Sequence, residues 1–133
     1  NSDENHLKFF HTYLNQFITK TFNLQELFST PLSSILPKQS KKGYVGLSNF
    51  GCTCYLNSAL QCLSHTEDLT KYFLLDLHEQ ETNSVSRLGS GGKLLEGFYQ
   101  FLLNLWKNDP GPVFTPTDLC KKIIVYLALY KIV

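Results

Sequence analysis

The sequence predicts a mainly helical chain, and three observations carry that prediction. Leu7, Phe10, Leu14, Phe17 and Ile18 recur at helical spacing near the start. A run of apolar and small polar residues from Cys54 to about Ser64 follows a loop that has no helical period. Leu94, Leu95, Phe98, Phe101, Leu102 and Leu105 then form one broad apolar stripe.

Taken in order, residues 4–20 read as an amphipathic helix, and Asn23 reads as the cap of a short second helix over 24–28. The segment STPLSSILPKQSKKG is rich in Ser, Pro and Lys and reads as a linker, with a boundary near Ser40 to Gly43. Residues 1–42 are thus an extension and linker of no assigned role, and 43–133 form the second unit. Tyr44 to Gly51 holds two glycines and reads as an extended loop. Thr53 reads as the N-cap of a helix from Cys54 to about Ser64, with Leu56, Leu60 and Leu63 on its buried face. Residues 68–77 read as a further helix and SVSRLGSGGK as a flexible turn. The striped helix spans Lys93 to Lys107 and is broken by 108–112. Thr115 and Pro116 read as N-cap and first residue of a last helix that ends near Ile124, with Asp118 favourably placed in its first turn.

Composition narrows the function. With 133 residues, 43% hydrophobic, the chain can build one modest core. A net charge of +1 and no basic run longer than two residues argue against nucleic acid and anionic membranes. The apolar residues 123–133 are too few to span a bilayer. The first twenty residues lack the apolar core of a signal peptide. Cys52, Cys54 and Cys62 lie too close together for a disulfide framework, which points to a reducing, intracellular setting. The chain starts at Asn1 and contains no Met, so it is read as a fragment or processed product.

Cys54 is the residue with chemical interest. A cysteine in the first turn of a helix meets unpaired backbone N–H groups and the positive end of the dipole, and both favour a negatively charged sulfur. Gly46 and Gly51 would let a substrate backbone approach. Asn49 could donate to an oxyanion, a contribution of about 3 kcal/mol. Taken alone, these features favour a plainer reading, a buried helix cysteine and a turn-forming asparagine, because buried structural cysteines are common.

GLSNFGCTCYLNSALQCL, residues 46–63, resembles the cysteine box of the ubiquitin-specific proteases, G-L-x-N-x-G-N-T-C-[YF]-x-N-S-x-L-Q-x-L. Gly46, Leu47, Asn49, Gly51, Thr53, Cys54, Tyr55, Asn57, Ser58, Leu60, Gln61 and Leu63 match without a gap. LTKYFL, the Gly-rich break, the helix ending in Trp106 and FTPTDLCKKI follow the order of that family's helical thumb. The resemblance covers about 44–124. It implies that 43–133 is part of a catalytic domain, the thumb of an α+β papain-like cysteine protease whose palm and fingers lie outside this chain. It implies hydrolysis of the bond after ubiquitin's C-terminal glycine, with ubiquitin and ubiquitinated proteins as partners in cytoplasm or nucleus and no cofactor. Cys54 would be the nucleophile, Asn49 the oxyanion donor, Gly46 and Gly51 the loop beside the substrate cleft, and Thr53 and Gln61 structural supports.

Three departures follow. Cys52 stands where the family usually has Asn, a tolerated substitution, and Cys52-Thr53-Cys54 lacks the spacing and second ligand pair of a zinc site. No histidine fits the role of base. His65 lies eleven residues beyond Cys54, about 16 Å along a helix. His78 has no motif around it, and His6 and His11 precede the nucleophile; the Gly-His-Tyr box is absent. The tail IVYLALYKIV replaces a Gln- and Asp-containing helix, which suggests a truncation or frame change near Ile124. GSGGK is not a phosphate loop, because Arg87 and Leu94 occupy its required Gly and Ser/Thr positions. Three readings stand: part of a deubiquitinase that is inactive on its own, a non-catalytic binder of ubiquitin or a partner, and a chain that folds poorly because IIVYLALY is aggregation-prone.

Overall fold

The computed structural model describes residues 2–38, 43–51, 53–80, 82, 85 and 90–130. Backbone proximity divides the chain into two compact units, Asn1–Pro31 and Leu32–Val133. The described residues are mainly helical, as the periodicity predicts.

The first unit is a single helix, α1, Ser2–Ser29. The two helices expected here are one, because no Gly or Pro interrupts 2–29 and Asn23 alone does not stop a helix. Pro31 ends it: proline disfavours helical geometry in the preceding residue and has no N–H to donate.

The stretch read as a linker is partly built into the second unit. Leu32–Ile35 forms a short helix, α2, and Leu32, Ile35 and Leu36 pack on the core. These apolar side chains suffice to tie it down. The expected boundary, Ser40 to Gly43, lies outside the described residues except for Gly43.

Four elements follow: strand β1, Gly46–Leu47; helix α3, Cys54–Ser64; helix α4, Glu67–Leu74; and a 3-10 turn, Leu77–Gln80. The helix expected over 68–77 therefore stops early. Asp76 adopts φ 59°, a left-handed conformation that Asp tolerates better than most residues. Half of SVSRLGSGGK lies outside the described residues, and its last residue, Lys93, already belongs to the next helix. Helix α5, Lys93–Trp106, matches its prediction, and Ser90 Oγ accepts from Leu94 N at its start. Strand β2, Val113–Phe114, precedes helix α6, Thr117–Leu129. Helix α6 starts after Pro116 rather than Thr115, whose hydroxyl is engaged elsewhere, and runs past Ile124 because nothing in VYLAL breaks it. Ile124, Val125 and Leu129 remain exposed.

Helix α5 is the centre of the core. Phe101, Leu102, Leu105 and Trp106 are buried against Leu60 of α3, Phe73 and Leu74 of α4, Leu119 of α6 and Val45. Phe98 meets Phe73 edge-on at 5.1 Å. The Trp106 indole N–H donates to Ser64 O (2.9 Å), and Thr70 Oγ1 donates to the same carbonyl (2.8 Å). That carbonyl lies at the C-terminus of α3, where carbonyls lack helical partners. Two side chains thus satisfy it and fix the end of α3 in the core.

Tyr99 bridges α5 to the turn after α4: its hydroxyl donates to Asp76 Oδ1 (2.7 Å). That bond, with smaller contributions from burial and neighbouring carboxylates, pushes the phenol up to about 12. A phenol raised in the folded state adds stability that is full below its ordinary value of about 10. That stability is lost as pH rises through about 12. Absorbance titration should show one phenol ionising near 12 in the wild type, and Asp76→Ala should bring it back towards its ordinary value.

Candidate functional site

The site is built where the loop after Val45 meets the start of α3. β1 pairs in parallel with β2, Gly46 opposite Val113 and Leu47 opposite Phe114. Gly46 N donates to Pro112 O and Ser48 N to Phe114 O, both at 3.0 Å. Ser48 is held at all three polar groups. Its hydroxyl lies 2.8 Å from Thr115 Oγ1, and its carbonyl accepts from Asn57 Nδ2 at 2.9 Å. Gln61 Nε2 donates to Val45 O (2.9 Å), a second tie from α3 to the same strand.

Asn49 follows immediately. Its Oδ1 accepts from Thr53 Oγ1 (3.0 Å) and from Thr53 N (3.4 Å). A backbone N–H can only donate, so the acceptor end of the amide faces Thr53 and the donor end, Nδ2, is turned away from it. Thr53 Oγ1 also accepts from Phe50 N (3.0 Å). The N-cap bond expected of Thr53 is not made: it stands at the cap position with φ −101° and ψ 8°, outside the usual cap geometry, and its hydroxyl closes the Asn49–Thr53 loop instead. Gly51 has φ +92°, and a Cβ added there would meet no atom within 4 Å, so its backbone conformation, not crowding, selects glycine. An added Cβ at Gly46 would meet Pro112 O at an ordinary 3.5 Å, so packing within the chain does not require glycine there.

Cys54 is the first residue of α3 and is exposed with a free thiol. Cys52 lies outside the described residues. The buried face of α3 is centred on Leu60 and Ser64, with Asn57 and Gln61 beside them. Leu63, expected inside, is 44% exposed, because the face turns toward Ser64, whose carbonyl anchors Trp106 and Thr70. Asn57 is the residue that sequence reasoning left without a role. It sits one turn after Cys54, its Nδ2 holds the loop, and its Oδ1 is buried without a hydrogen-bond partner.

Within the same unit, His65 and His78 lie away from Cys54. His65 follows the far end of α3, its Nδ1 2.9 Å from Gln61 O and its ring 5.5 Å from that of Trp106. His78 is buried, its ring 4.9 Å from Phe73 and 4.4 Å from Tyr99. His11 is on α1. Among the described residues no group of three or more His, Cys, Asp or Glu side chains is placed to hold a metal ion.

The cysteines differ in environment. Cys54 and Cys62 are exposed, while burial of Cys120 pushes its thiol up from its ordinary value. Iodoacetamide followed by mass spectrometry near pH 8 should therefore modify Cys54 and Cys62 before Cys120, since the thiolate is the reactive form, with an ordinary value of about 8.5.

Comparison with known proteins bears directly on this loop and helix. The family profile described as "Ubiquitin carboxyl-terminal hydrolase" matches residues 45–126, from the loop into α6. The chain belongs to the ubiquitin carboxyl-terminal hydrolase family. It is 42% identical over 86 residues to Ubiquitin carboxyl-terminal hydrolase 4 of Bos taurus, covering 65% of this chain and 8% of that protein. It is 47% identical over 91 residues to Ubiquitin carboxyl-terminal hydrolase 9 of Arabidopsis thaliana, covering 66% of this chain and 10% of that protein. Rattus norvegicus Ubiquitin carboxyl-terminal hydrolase 15 is 44% identical over 64 residues, 48% of this chain and 7% of that protein. The chain thus matches a tenth or less of the length of these hydrolases. Among its described residues no helix is long and apolar enough to cross a membrane.

Proposed function

We propose that this chain supplies the nucleophile and an oxyanion donor of a thiol-dependent deubiquitinase. Cys54 Sγ, as thiolate, adds to the carbonyl carbon of ubiquitin's C-terminal glycine. The carbonyl oxygen takes up the negative charge and accepts from Asn49 Nδ2 and the backbone N–H groups at the start of α3. Collapse expels the lysine or α-amine, which leaves with a proton from the general acid, and forms a thioester. Water then attacks the thioester, releasing the free carboxylate and restoring the thiol. The open approach at Gly46 and Gly51 suits a narrow, extended Gly-Gly tail. Family membership supports ubiquitin and ubiquitinated proteins as partners, a papain-like catalytic domain of which these helices are the thumb, and an intracellular compartment.

The observation that carries this reading is the pairing of an exposed Cys54 at the first position of α3 with an Asn49 amide held by Thr53 on the loop just before it. The base is assigned to residues outside 1–133, since His65 is at the opposite end of α3, His78 is enclosed by aromatic rings, and His6 and His11 precede the nucleophile, opposite to the order in the family. The same placement favours a second reading for the chain by itself: a non-catalytic binder of ubiquitin or a protein partner.

A chimaera tests the proposal. Residues 45–126 replace the matching segment of the Bos taurus relative, and cleavage of a fluorogenic ubiquitin C-terminal amide is followed. Activity is expected, and Cys54→Ala should abolish it. A folded chimaera with no activity, or activity that survives Cys54→Ala, would refute the assignment.

A further inference from the structure

Helix α1 is 28 residues long, about 42 Å, and carries an apolar seam that is exposed at each of its described positions. Leu7, Phe10, Leu14, Leu24 and Phe28 on the seam, and Ile18 beside it, are between 36% and 66% exposed. Their period is informative. Leu7, Leu14, Thr21 and Phe28 recur every seven residues, and Phe10, Phe17 and Leu24 interleave at the spacing of the other core position. The a/d pattern is thus unbroken from Leu7 to Phe28, with Thr21 the single polar member. A seam with a period of about 3.5 matches a second helix in a left-handed supercoil rather than a flat surface.

We infer that α1 is a homotypic coiled-coil segment whose occupant is α1 of a second copy of this chain. Three features favour a like copy. The knobs and holes of a heptad seam are self-complementary, as an isologous interface requires. The flanking e and g positions from 11 to 27 carry one charged residue, Lys20, so nothing repels an identical helix, and the charge code that would select a different partner is missing. Burying the exposed parts of the seam in both copies removes roughly 1,000 Å², about the threshold for a specific interface. A membrane surface is disfavoured: the α1 sequence balances Lys8 and Lys20 with Asp3, Glu4 and Glu26, without the cationic excess that membrane-surface helices use. The inference is independent of the catalytic reading, because it rests on the other compact unit.

Sedimentation velocity on residues 1–133, over about a hundredfold concentration range centred near 10 μM, tests it. The mass should rise from that of one chain to that of two. Leu14→Glu, which retains helix propensity, should keep the circular-dichroism helix signal and remain monomeric. Thr12→Glu, at position f, should dimerise like the wild type. Thr21→Leu completes the seam and should tighten the dimer at least roughly tenfold. A wild type monomeric throughout, a dimer unaffected by Leu14→Glu, or a monomer that binds phosphatidylserine vesicles through the seam would each overturn the proposal.

Discussion

Asn49→Ala in the chimaera should lower kcat by roughly 10²–10³-fold with little change in KM, the loss found when one oxyanion donor is removed. The argument is one of preorganisation. An asparagine free to rotate would bring its donor to the developing charge only part of the time. Here Oδ1 is held by Thr53 from both backbone and hydroxyl, and the preceding residue is held at three points by Phe114, Thr115 and Asn57. In the proposed mechanism Nδ2 is the end that meets the substrate. The split between kcat and KM matters, since a donor that acts mainly in the transition state leaves ground-state binding nearly unchanged. Thr53→Val keeps the shape, removes the hydroxyl donor and leaves the weaker backbone bond at 3.4 Å. Its loss should be smaller than that of Asn49→Ala and should again fall on kcat. An Asn49→Ala enzyme with unchanged kcat would remove Asn49 from the mechanism.

Trp106→Ala should destabilise the second unit by about 3–5 kcal/mol, the range for deleting a buried large aromatic. Trp106 is only 6% exposed, closes the core formed by α3, α4 and α5, and donates to Ser64 O. Small domains are stable by about 5–15 kcal/mol, so this one change removes a large share. Gly43 is the partner of this site. It has φ +78°, and a Cβ there would lie 2.6 Å from Trp106 Cζ2 and 2.7 Å from Cε2. Gly43→Ala therefore combines a strained backbone with a clash against a buried ring, at roughly 2–4 kcal/mol. The two changes should not add. Removing the indole removes the clash, so Gly43→Ala should cost less in the Trp106→Ala background, and urea denaturation of the wild type, both single variants and the double variant measures that coupling. Equal costs in both backgrounds would show that the indole does not set the requirement for glycine.

The parts of this fold that are legible in the sequence are those governed by local rules. The α5 stripe from Leu94 to Leu105 marks its helix because the period of apolar residues is a property of neighbours along the chain. The segment around Cys54 is legible for the same reason: its matching residues are contiguous from Gly46 to Leu63. What escapes depends on residues distant in sequence. Trp106 finds its acceptor 42 positions away and Ser48 its hydroxyl partner 67 positions away. Neither distance leaves a trace in local composition. The same limit explains Leu63, which satisfies the helical period yet faces out because the tertiary anchor falls on Ser64. Thr53 escapes for a nearer reason: a good cap by residue type, its hydroxyl is committed to Asn49 only four residues back. Helix α2 is hidden by the Ser, Pro and Lys around it, although Leu32, Ile35 and Leu36 are enough to bind it to the core.

The most direct test of Cys54 as a nucleophile that needs a base from outside this chain is labelling with ubiquitin bearing a C-terminal electrophile, with the adduct mapped by mass spectrometry. In the chimaera the adduct should sit on Cys54 and disappear in Cys54→Ala. Residues 1–133 alone should show no labelling that depends on Cys54. An adduct on another cysteine of the chimaera would contradict the nucleophile assignment. Labelling of the isolated chain that is lost in Cys54→Ala would contradict the assignment of the base, placing a competent one within these 133 residues.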